Sequence, residues 1–103
     1  MFFIINGIRW DIKLVDSRNS IFITSDNYYT IGVCDLLTKT IYLANNLEGS
    51  MLKKVLCHEV AHAAIYSYNI NLSLNQEEII ADWIATYGQE IFYITNKIYK
   101  ELQ

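Results

Sequence analysis

The chain has 103 residues, 52% of them hydrophobic, and a net charge of −3 at pH 7. That is enough apolar material for one core, and mild acidity without any run of Lys or Arg excludes the basic stripe a nucleic-acid partner needs. No apolar run reaches membrane-spanning length, and the first ten residues lack the basic region and cleavage site of a signal peptide, so the expectation is a cytoplasmic protein with no membrane partner.

There is no proline and only four glycines, so no linker divides the chain and one domain over residues 1–103 is expected. Phe2–Ile5 is apolar and β-prone. Asn6-Gly7, where both residues tolerate positive φ, predicts a hairpin turn into the strand Ile8–Val15. There Ile8, Trp10, Ile12 and Leu14 share one face and Arg9, Asp11 and Lys13 the other. Asp16–Ser20 reads as a turn. Ile21–Thr24 fits a short strand or a turn of helix equally, and Ser25–Asn27 is another turn. Tyr29–Asp35 reads as a strand with Gly32 as a bulge or a point of close approach. Leu36–Lys39 turns the chain into a strand at Thr40–Ala44, paired antiparallel with the one before it.

Asn45, Asn46 or Ser50 can cap the next helix, with Glu48 in its first turn. Met51, Leu52, Val55, Leu56 and the residues through Ile65 make that helix strongly apolar and buried on most sides, and Asn69–Asn71 end it. A last helix starts at Ser73 or Asn75, with Gln76, Glu77 and Glu78 in its first turn, and runs to Lys100 with Gly88 inside it. Its stripe of Ile80, Trp83, Ile84, Tyr87, Ile91, Ile94 and Ile98 reads as core. The fold class expected is α+β: a small mixed or antiparallel sheet, made of the N-terminal hairpin and strands near 30–35 and 40–44, packed on two helices.

Both histidines of the chain lie in His58-Glu59-Val60-Ala61-His62, an H-E-x-x-H. On a helix, residues i and i+4 share one face, so two imidazoles can reach one metal ion, and the intervening Glu leans toward a metal-held water. A catalytic zinc site takes a third protein ligand, which here must be Asp, Glu or Cys. Glu78 is the choice, since an antiparallel return would bring it beside the histidines; Glu77 is the nearest competitor and Glu90 a distant one. Asp82 lies on the same face as Glu78 and can accept the free ring N–H of a ligating His. Cys34 and Cys57 form no C-x-x-C and are expected to be free thiols, with Cys57 a small buried apolar residue.

The chemistry expected is zinc-dependent peptide hydrolysis: one Zn²⁺ held by His58, His62 and Glu78, and Glu59 as the general base for the attacking water and the donor of its proton to the leaving amine. The strand Thr40–Ala44 would hold an extended substrate along its exposed edge, and Tyr66 or Tyr68 would stabilise the oxyanion. The partner is then a protein or peptide substrate. Two competing readings are a zincin-like binding module that keeps a structural zinc and cleaves nothing, and an interaction domain whose histidines are core. The intact Glu59 favours the enzyme, because a purely structural site needs no base.

The segment Leu56-Cys57-His58-Glu59-Val60-Ala61-His62-Ala63, followed by Glu78-Ile79-Ile80-Ala81-Asp82-Trp83-Ile84-Ala85, resembles the ImmA/IrrE-type metallopeptidases of phages and mobile elements, which are gluzincins. The resemblance implies a minimal zincin fold, with His58, His62 and Glu78 as zinc ligands, Glu59 as general base and Asp82 where the family often has Asp or Asn. Metzincins fit less well, since Ile65 and Tyr68 replace their Gly and third His; SprT-like proteases have a His where this chain has Tyr66.

Overall fold

The computed structural model describes residues 1–103. The class is α+β: a four-stranded mixed sheet with helices laid against it. Strands β1 (Phe2–Ile5) and β2 (Ile8–Val15) form the antiparallel hairpin, with Phe3 opposite Trp10 and Ile5 opposite Ile8. Asn6 (φ 47°) and Gly7 (φ 77°) both take left-handed backbone at the turn, as its mirror-image geometry requires. Strands β3 (Gly32–Asp35) and β4 (Thr40–Ala44) pair antiparallel, and the sheet order is β1-β2-β4-β3.

That order corrects one expectation. β4 pairs parallel with β2, Ile12 opposite Ile41 and Leu14 opposite Leu43, so it lies inside the sheet and has no free edge. The cause is its composition: Thr40, Ile41, Leu43 and Ala44 are all buried, and a run without charge suits a strand covered on both sides. The edge strands are β1 and β3, and β3 starts at Gly32 and not at Tyr29. Before it, Ser20–Phe22 forms a single 3₁₀ turn that buries Phe22 completely, and Ile23 bridges to Tyr29.

Helix α1 (Gly49–Ser67) covers one face of the sheet. Ala63 packs with Trp10, Ile41 and Leu43, and Leu52, Val55, Leu56 and Val60 surround them. Leu14 shares that sheet face yet is largely exposed, at the mouth of an apolar cavity it lines with Ile12, Leu43, Leu52 and Leu56. The N-cap of α1 is Glu48, with no side-chain cap; Asn45, Asn46 and Ser50 do not serve. The other end is clamped. Asn6 Nδ2 donates to the Ser67 carbonyl at 2.8 Å, and the Trp10 indole N–H donates to Ser67 Oγ at 2.8 Å. One hairpin residue thus shapes the turn and also satisfies a carbonyl that a helix C-terminus leaves open.

Helix α2 (Leu74–Trp83) starts at Ser73 with a capping box, Ser73 Oγ accepting from Gln76 N–H and the Gln76 side chain accepting from Ser73 N–H. A π-helical turn at Ile84–Gly88 leads without a break into α3 (Gln89–Leu102). Ala81, Ala85 and Gly88 are the buried residues of this arm, small enough to lie close on α1. The expected core role of the Trp83–Tyr99 stripe is overturned: α3 buries no residue, because by Gln89 the arm has drawn level with Ser50 in the first turn of α1 and then runs past the body. No helix is long and apolar enough to cross a membrane.

The Trp10–Ser67 bond sets a test of how α1 is anchored. Ser67→Ala leaves a buried indole N–H unpaired and should cost about 1–3 kcal/mol, read as a lower urea midpoint with an unchanged slope.

Candidate metal centre

Positions 58 and 62 stand one turn apart on α1, and α2 runs back antiparallel beside them. The 4.8 Å spacing of the ring centroids keeps the imidazoles adjacent. His58 Nε2 and His62 Nε2 are 3.1 Å apart. Glu78 faces both from α2, with Oε1 3.0 Å from His62 Nε2 and Oε2 3.3 Å from His58 Nε2. Donor atoms of His58, His62 and Glu78 all lie within 4.8 Å of one another, and these three residues could hold a metal ion.

The outer nitrogens decide the chemistry of the inner ones. His58 Nδ1 is 2.9 Å from Asp82 Oδ1, and His62 Nδ1 is 2.7 Å from Glu77 Oε1. A carboxylate accepts, so each Nδ1 carries the proton and donates. In a neutral ring the Nε2 is then a bare lone pair. Two lone pairs and a carboxylate face one another within hydrogen-bond distance, with no proton to share among them. Such a set repels itself unless a proton or a metal cation stands between the donors, and the orienting carboxylates raise the basicity of the rings that would bind it.

Sequence reasoning placed Glu77 as a rival ligand; the structure turns it away from the cluster, onto the far nitrogen of His62. The signal was available, since two ligating rings have two free N–H groups and α2 offers Glu77 and Asp82 as well as Glu78. Glu90 lies a long way down the arm, beside Ser50 and Lys53.

Glu59 is buried, at 8% exposure, although it is an acid. It lines both of two shallow cavities that flank the cluster. One, of about 250 Å³, is bounded by Cys34, Leu36, His62, Leu74, Glu77 and Glu78. The other, of about 230 Å³, includes Ile31, Gly32, Met51, Val55, His58 and Asp82 among its walls. Burial holds the Glu59 carboxyl above the usual carboxylate range; His58, His62 and the Cys34 amide pull it down, and Glu78 repels it upward. Burial, reinforced by Glu59, Glu77 and Asp35, pushes the Cys34 thiol up to about 12, so it stays protonated. Both cysteines are free, and Cys57 is half-buried rather than buried.

Gly32 is the close-approach point that its place in β3 suggested. A Cβ there would lie 2.7 Å from Val55 Cγ1 and 3.2 Å from the Glu59 side chain, so only glycine lets β3 ride this near the acid. Tyr66 and Tyr68 stand elsewhere. Tyr66 meets the edge of Trp10 at 5.9 Å, under the Lys39 ammonium, and Tyr68 caps α1 in solvent; neither lines the two cavities.

Compared with protein-family models, with curated proteins and with solved structures, the chain matches none.

The two outer carboxylates should act on metal affinity without touching the ion. Glu77→Gln and Asp82→Asn should each weaken it about 10–100-fold, measured by competition with a chromophoric chelator. Full affinity in both variants would show that the rings need no orienting partner.

Proposed function

We propose that the protein is a zinc-dependent endopeptidase of minimal zincin type, acting on a protein or peptide partner. The observation that carries this reading is the convergence of His58 Nε2, His62 Nε2 and the Glu78 carboxylate, whose Oε1 stands 3.0 Å from His62 Nε2 and Oε2 3.3 Å from His58 Nε2, beside the buried acid Glu59. A tetrahedral ion with bonds of about 2.0–2.1 Å sets neighbouring donors about 3.3–3.4 Å apart, so two ring nitrogens 3.1 Å apart with a carboxylate against each suit zinc. They leave a coordination position for chemistry. The H-E-x-x-H pattern and the Glu on the following helix, which resemble the gluzincins, agree with this assignment.

His58, His62 and Glu78 would hold the zinc, which would supply Lewis acidity for a peptide carbonyl and for water. The chain's own residues do the rest. Glu59, with its proton affinity raised by burial, takes the proton of the attacking water and returns it to the leaving amine. Asp82 and Glu77 hold the two rings in the tautomer that keeps both Nε2 lone pairs inward. The free edge of β3 runs between the two cavities that Glu59 lines, and an extended segment pairing with that edge would place side chains against Leu36 and Leu74 on one side and Ile31 and Met51 on the other. A site kept only for stability would need no acid buried at position 59.

Protein purified without an affinity tag should take up one zinc, and Glu78→Ala should lower the affinity by at least about tenfold. Occupancy under about 0.1 equivalents after zinc addition would end this reading. Glu59→Gln should keep the zinc and lose about 10²–10⁴-fold in the rate of cleaving a proteome-derived peptide library, read by mass spectrometry. Equal cleavage by wild type and Glu59→Gln would remove Glu59 from the mechanism.

A further inference from the structure

α3 is a well-formed helix that, past Gln89 and Glu90 beside the first turn of α1, has nothing to pack on. It has 14 residues, buries none of them, and stretches the molecule to 50 × 31 × 27 Å. Its sequence is not that of a solvated spacer. Tyr87, Ile91, Ile94 and Ile98 recur at alternating spacings of four and three, the seam of a coiled coil. They are 41–50% exposed, and Leu102 flanks the same face.

We propose that α3 pairs antiparallel with α3 of a second copy of this chain. Charge selects the direction. Glu90 and Lys97 occupy the same flank of the seam, one heptad apart. In an antiparallel pair that packs Ile91 on the partner's Ile94 and Tyr87 on the partner's Ile98, the Glu90 carboxylate lies by the partner's Lys97 ammonium, twice by symmetry. A parallel pair sets Glu90 against Thr95 and Lys97 against Leu102, with no charge matched. The antiparallel arrangement also puts the two bodies at opposite ends of the paired helices, whereas a parallel one presses them side by side.

The interface is self-complementary about a twofold axis and closes at two copies. It lies on the arm beyond α1, so it leaves the His58–Glu78 cluster and its cavities open, and it stands whether or not that cluster is catalytic.

Analytical ultracentrifugation of the full chain at about 100 μM should give twice the 12.0 kDa chain mass. Ile94→Glu, which buries a charge at the centre of the seam, should weaken association at least about 100-fold with helical circular dichroism kept. Glu90→Lys and Lys97→Glu should each weaken it about tenfold, and the double variant, which swaps the charges across the antiparallel pair, should restore it. A wild-type monomer, a species larger than two chains, or a double variant weaker than either single one would overturn the proposal. So would a monomer that sediments with anionic phosphatidylserine vesicles and loses them on Ile94→Glu, since the face would then meet a lipid surface.

Discussion

Two imidazole Nδ1–H groups, each donating to a carboxylate of the neighbouring helix, fix how α1 and α2 lie against one another. His58 to Asp82 and His62 to Glu77 are 2.9 and 2.7 Å long and stand one turn apart on α1. Together they allow neither rotation nor sliding of α2 along the seam. Glu78 then follows without freedom of its own: a residue next to Glu77, and one turn before Asp82, must face the gap between the two rings. Glu77, Glu78 and Asp82 thus reach one short stretch of α1 because they share one stretch of helix.

The buried acid depends on a second contact of the same helix. Glu59 follows His58 and so points off the metal-facing side, toward β3. The strand can come that close only because position 32 has no side chain. The Cys34 amide offers the carboxylate some compensation for lost water, without undoing the effect of burial. A carboxyl that resists ionisation has the higher proton affinity a general base uses, and here the backbone path of one strand sets it.

What could be read from the sequence was mostly local. The Asn6-Gly7 turn, the H-E-x-x-H helix, the Ser73 cap and the α+β class each rest on signals within a few residues, and the structure has all four. The order of the strands was not local. β4 enters between β2 and β3 through a parallel pairing with a strand far back in the chain, and nothing near Thr40–Ala44 announces it except the lack of charge. The Ile91–Ile94–Ile98 stripe was read correctly as amphipathic and wrongly as core, because periodicity reports that a face is apolar and not what covers it. The role of Glu77 was missed for a related reason. Adjacent acids look alike in sequence, and only the helix phase separates the one that meets an Nε2 from the one that meets an Nδ1.

The clamp at Ser67 has a consequence for how the molecule assembles. The five groups of the cluster, His58, His62, Glu77, Glu78 and Asp82, come from one helical hairpin whose partners are close in the chain. The bond from Asn6 to Ser67 spans 61 positions, and the contacts of Glu59 with β3 also cross from sheet to helix. Closing long loops is slow relative to pairing neighbouring helices. On sequence separation the donor set should come together first, on the helical hairpin, and the acid should acquire its buried environment when the sheet docks. Under the proposed function, affinity for zinc and the readiness of Glu59 would belong to different stages of folding, and a chain caught between them would bind the ion without being able to react.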